Sequence, residues 1–166
     1  MQTMKYQAPW SRQLKWITAL TSVILLGIPL LLLDKAPQAE SRLYTVAILL
    51  PPAIFVLSAL FAIRGYRIER TALLILRFGW HTRIPLQGLT SAEADPEAMH
   101  GSIRLFGNGG LFGFTGLYRN SKLGRYRAFA TDSSRAVVLH FPERTLVVTP
   151  DRPAQFAAAL QQKISA

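Results

Sequence analysis

The sequence predicts a two-helix transmembrane hairpin followed by an α+β domain of antiparallel strands that one C-terminal helix closes. Three observations predict it: two long apolar runs in the first 63 residues, strand-like alternation through most of the remaining chain, and a four-residue apolar repeat at the end.

Residues 16–33 read WITALTSVILLGIPLLLL, eighteen without a charge, and residues 43–63 read LYTVAILLPPAIFVLSALFAI, twenty-one more. As helices they reach about 27 and 31 Å, against about 30 Å for a bilayer's hydrocarbon core. Nine residues, DKAPQAESR, separate them and suit a tight turn between antiparallel spans. A cleaved signal peptide fits less well, because the first run exceeds the usual apolar core of about 7–15 residues. Its small-residue cut sites are also poor: Pro37 or Asp34 stands three residues before them. Pro29, Pro51 and Pro52 each remove a backbone donor, which membrane helices tolerate as static kinks. Neither run carries a charged side chain, which argues against an ion or proton path.

The flanks set orientation. Lys5, Arg12 and Lys15 precede the first run without an acid, the turn's Asp34, Lys35, Glu40 and Arg42 cancel, and Arg64, Arg67 and Arg70 follow the second run against Glu69. Basic flanks stay in the cytoplasm, so both termini belong there, with residues 1–15 a cytoplasmic N-terminal segment. Trp10, Trp16, Tyr44 and Tyr66 stand near the expected interfaces.

About a hundred residues, 64–166, remain for a cytoplasmic domain with a small core. Alternation predicts strands over 66–70, 72–79, 81–86, 124–131, 135–141 and 145–150, with tight turns at Gly79-Trp80 and at Pro142-Glu143-Arg144. The segment SAEADPEAMHGS, 91–102, lacks a strand pattern and reads as a loop with Glu93, Asp95 and Glu97 solvated. Asp151 is placed to cap a helix beginning near Arg152 and Pro153, on which Phe156, Leu160 and Ile164 form one apolar face.

The order of these motifs carries a resemblance. RIPL, the glycine-rich Gly107-Asn108-Gly109 with Phe112-Gly113, LGRYRAFAT, VVL and TLVVTPDRPAQF before a final helix resemble the bacterial pleckstrin-homology-like (PH-like) domains of small membrane proteins, over roughly 66–162. The resemblance implies a bent barrel of about seven antiparallel strands plugged by the C-terminal helix. It also implies a binding role more than a catalytic one.

The stretch LFGNGGLFGFTGLYRNSKLGRYRAF, 105–129, holds six glycines. A dinucleotide fingerprint fails, because Phe112 stands where the third glycine belongs and no helix follows; no Gly-Lys-Ser/Thr supplies a Walker loop. The bland reading makes Gly107, Gly109, Gly113 and Gly124 structural, giving bends and close approaches, with Leu111, Phe112, Phe114 and Leu117 packed inward. The functional reading uses Arg119, Lys122, Arg125 and Arg127, with the juxtamembrane Arg64, Arg67 and Arg70, to contact anionic lipid or an acidic partner.

Nineteen Lys and Arg stand against nine Asp and Glu, a net +10 that suits an anionic neighbour. Without a nucleic-acid signature, that neighbour is the bilayer rather than nucleic acid. The chain has no cysteine, and its three histidines, His81, His100 and His140, lack metal-ligand spacing. No nucleophile elbow accompanies Asp132-Ser133-Ser134. The expectation is a binding or scaffolding module without catalytic residues, metal or cofactor, in a bacterial inner membrane. Besides lipid it engages a membrane protein or another copy of itself, since sheet edges accept strands. The competing expectation is a membrane enzyme or transport accessory subunit with a site between spans and domain.

Overall fold

The computed structural model describes residues 4–33 and 42–164; the expected turn, with Asp34, Lys35 and Glu40, lies outside them. A strand β1 (Met4–Gln7) precedes two long helices, α1 (Arg12–Leu33) and α2 (Arg42–Leu60). Nine strands come next: β2 (Gly65–Ile68), β3 (Ala72–Leu76), β4 (His81–Pro85), β5 (Ser91–Ala94), β6 (Ile103–Gly109), β7 (Phe114–Asn120), β8 (Gly124–Ala130), β9 (Val137–Phe141) and β10 (Arg144–Val148). Helix α3 (Pro153–Ile164) ends the fold.

Both long helices are apolar enough to cross a membrane, and their apolar windows are only 11% and 0% buried, unlike the core helix of a globular protein. Their lengths are about 33 and 28 Å. The bounds differ from the sequence expectation. Helix α1 starts four residues earlier, at Arg12, because the Ser11 hydroxyl accepts from Leu14 N at 3.1 Å and caps it. Helix α2 stops at Leu60, since Ala62 and Ile63 are already buried in the domain.

The N-terminal segment is a working part of the domain. β1 pairs antiparallel with β2, Lys5 opposite Arg67 and Tyr6 opposite Tyr66. The first and last ends of the helix pair therefore meet in one sheet, of order β1-β2-β3-β4. Cleavage after the first apolar run would remove a strand, which counts against a signal peptide.

The second sheet has the order β5-β9-β10-β8-β7-β6. Two expectations need correction. Among the described residues the 64–166 domain has nine strands, not about seven, β1 joins them as a tenth, and they form two sheets rather than a closed barrel; β8 and β10 pair in parallel. The 91–102 segment contributes β5, which pairs with β9. Ala92, buried in the main core, is the side chain that binds this strand inward.

The main core lies between the sheets and under α3, where Tyr66, Leu73, Ile75, Leu139, Val148, Phe156 and Leu160 are buried together. A smaller cluster, including Tyr118, Tyr126, Ala128 and Val147, fills the other face of the six-stranded sheet. Alternate side chains of β10 thus serve two cores, Leu146 and Val148 one, Val147 the other. Asp151 does not spend its carboxylate as expected: Oδ1 accepts from Gln7 N at 3.2 Å, and Asp151 N donates to Gln7 O at 2.9 Å, tying β1 to the start of α3.

Candidate functional site

The glycine-rich stretch is the β6–β7 hairpin. Its tip, residues 110–113, docks on the domain-proximal part of α1. The buried Thr18 hydroxyl donates to Gly110 O at 3.0 Å and accepts from Phe112 N at 3.1 Å. Phe112 packs edge-on to Trp10 and Phe55, with centroids 6.1 and 5.3 Å away, so one ring touches the approach to α1 and a residue of α2. Phe112 holds φ 63°, and the Asn108 side chain fixes the tip by accepting from Leu111 N at 3.0 Å. Gly107 and Gly116 face each other across the hairpin, where a side chain on either would strike the partner strand's backbone. Gly124 turns β7 into β8 with φ 65°, Gly109 ends β6, and Gly113 lies in the tip. One detail departs from the expected inward packing: Leu117 points out and is exposed.

Leu117 belongs to a larger uncovered face. The side of the six-stranded sheet that carries the main core runs past the edge of the smaller sheet. There the register places Ile103 beside Arg119 and Phe106 beside Leu117, with Arg119 opposite Arg125 and Leu117 opposite Arg127. Ile103 is 70% and Phe106 80% exposed. The structure thus brings together Arg119, Arg125 and Arg127 of the expected basic cluster. Lys122 is diverted: its ammonium pairs with Asp95 at 2.5 Å.

The juxtamembrane arginines separate as well. Arg70 lies at the β2–β3 turn beside Arg83 and Lys163. Arg64 and Arg67 instead line a groove of about 750 Å³ with Lys5, Arg77 and His81, and no acid lines it. Arg64 sits 4.6 Å over the ring of exposed Phe78.

Arg77 and Trp80 form the joint between this groove and α2. Trp80 Nε1 donates to Leu60 O at 2.9 Å, and the Arg77 guanidinium donates to Phe61 O and, at 3.2 Å, to Thr82 Oγ1. These carbonyls have no helical donor at a C-terminus, where a cation also opposes the helix dipole. Arg77 stacks over Trp80 and Phe61, 4.9 and 5.5 Å from the ring centroids. Burial holds its pKa below the ordinary value; the Tyr66 side chain offsets part of this, and neighbouring Arg127 adds to it.

Between α2 and the uncovered face lies a cavity of about 490 Å³, with walls that include Leu57, Phe61, Phe106, Leu117 and Arg127. Arg127 is the ionisable side chain in its lining, and a guanidinium moves no proton near neutral pH. His81, His100 and His140 fall in β4, a turn and β9, and no cluster of three metal-ligating side chains occurs among the described residues.

Lys5, Arg77, Trp80 and the cavity were missed in the sequence. Lys5 read only as a flank, and its place beside Arg67 depends on a pairing across the whole helix hairpin. The Arg-x-x-Trp spacing around Gly79 was the available signal for the helix-end cap.

No curated protein and no solved structure matches the chain. A family model described as Bacterial PH domain matches residues 64–164, more than half of the chain. With its two sheets and the C-terminal helix packed on them, the chain belongs to the bacterial PH domain family.

Proposed function

We propose that this protein is a non-enzymatic binding module that two transmembrane helices hold in a bacterial inner membrane, its PH domain on the cytoplasmic side and turned toward the anionic lipid surface. One observation carries the reading: cations without an ion pair among the described residues gather, with exposed aromatics, where both apolar helices enter the domain. Lys5, Arg64 and Arg67 line the acid-free groove there with Trp80, and Arg64 lies over the exposed ring of Phe78. Amphipathic rings favour the headgroup layer, and each cation near an anionic leaflet contributes about 1 kcal/mol. With the helices supplying attachment, such terms set the domain's orientation. The basic flanks support the cytoplasmic placement. The pairing of β1 with β2 supports an even number of crossings, since both helices start and finish at one sheet.

The test is hydrogen exchange on the full chain in nanodiscs of phosphatidylglycerol or phosphatidylcholine. Exchange at residues 78–83 is expected to slow in the anionic discs and to recover at high salt, where screening shortens the reach of the charges. Equal protection in both lipids, insensitive to salt, would overturn the lipid-facing role.

A further inference from the structure

We propose that the cavity beside the end of α2 holds an acyl chain of an anionic phospholipid, with the lipid phosphate on Arg127. This rests on the reading that α1 and α2 cross a bilayer. The volume, about 490 Å³, falls within the range of small-ligand sites. Its apolar wall continues onto the outside of α2, where Leu57 and Phe61 are more than half exposed and would meet lipid. A ligand entering from that side must be apolar along its length.

The second requirement is charge. Arg127 lies over the Phe129 ring at 5.3 Å and forms no ion pair among the described residues. No acid lines the cavity, and Arg77 is close enough for the two guanidiniums to repel. An anion at Arg127 relieves that repulsion, and a phosphate is matched to a guanidinium's paired donors. An amphiphile with a chain and a phosphate meets both demands. A free phosphate leaves the apolar wall wet, and a peptide segment brings backbone groups that such a wall does not satisfy.

The cysteine-free sequence allows a direct test. In Ser58→Cys the single thiol lines the cavity. It is expected to resist maleimide in phosphatidylglycerol nanodiscs and to react in phosphatidylcholine discs. Native mass spectrometry of the full chain released from mixed-lipid discs is expected to find bound phosphatidylglycerol. Arg127→Gln should lower that retention about tenfold, the scale of one lost charge-assisted bond. Ser58→Trp, which fills the cavity, should remove lipid of either headgroup. Equal retention of both lipids, retention unchanged in Arg127→Gln, displacement by inorganic phosphate, or cross-linking of the thiol to protein would each overturn the proposal. Flotation with vesicles separates the two readings: a chain that does not float refutes the anchoring as well, whereas one that floats without retaining lipid refutes this inference alone.

Discussion

Thr18 is a single hydroxyl that joins two parts of the chain. It is buried, and its two bonds to Gly110 O and Phe112 N hold the β6–β7 tip on α1. In Thr18→Val the carbonyl and the amide both lose their partner, at a cost of about 1–3 kcal/mol. Hydrogen exchange should show faster opening of residues 110–113 with the rest of the sheet unchanged; an unaltered tip would mean that Phe112's ring contacts suffice. Tyr66 works similarly in the main core. Its fully buried hydroxyl donates to Phe129 O at 2.6 Å and accepts from Thr149 N at 3.1 Å. Tyr66→Phe should destabilise the fold by about 1–3 kcal/mol, measurable by denaturant unfolding in detergent. Burial pushes the Tyr66 pKa up to about 12, with the Thr149 bonds offsetting part of the rise. Unfolded, the phenol titrates near about 10. Between these values the folded state keeps a proton that the unfolded state has lost, so the stability present below pH 10 falls as pH rises toward 12. Tyr118, also raised to about 12 by burial, adds to the fall in the same window. Tyr66→Phe should therefore show a shallower alkaline loss than the parent.

At the scale of elements, the β6–β7 hairpin and the end of α2 decide how the domain sits on its helices. Gly116 holds φ 143° directly opposite Gly107, and a side chain there meets the backbone of Phe106. Gly116→Ala should cost more than about 1 kcal/mol and loosen the β6 edge, visible as a lower unfolding midpoint. Trp80→Phe keeps an aromatic ring but removes the donor to Leu60 O; fraying of the last turn of α2 is the expected result, read as faster exchange at residues 60–62. The sequence made the local elements legible and the joints between them obscure. Residues 72–76 form β3 as an unbroken apolar run with its first four side chains buried, and the Phe156, Leu160, Ile164 face packs as α3 because its four-residue periodicity already states which side is buried. β5 did not announce itself, since Ser91–Ala94 is small and acidic and is a strand only because β9 offers an edge. β1 was equally hidden: four residues before a helix become a strand through a partner some sixty residues later. The arginines obeyed the same rule. Those on one strand, Arg125 and Arg127, were grouped by alternation alone, whereas Lys5 with Arg67, and Arg77 with the helix end, are products of tertiary pairing.

The whole molecule combines an apolar hairpin with a net charge of +10. These features support the proposed environment, a lipid core bordered by anionic headgroups. Exposed side chains such as Leu20, Val23 and Leu31 on α1 and Val46, Leu49 and Leu57 on α2 form a sleeve that water would not tolerate. Charge and sleeve meet at the ends of the helices, where the acid-free groove and the cavity adjoin the PH domain. The central claim is that α1 and α2 cross the bilayer and place this end at the headgroup layer. Single cysteines at Val46, Leu49 and Gly79, each carrying a nitroxide in reconstituted vesicles, measure depth most directly. The labels at 46 and 49 should collide with dissolved oxygen and be shielded from a water-soluble relaxant, while the label at Gly79 reads as interfacial. Free access of the water-soluble relaxant to the labels on α2 would contradict the claim.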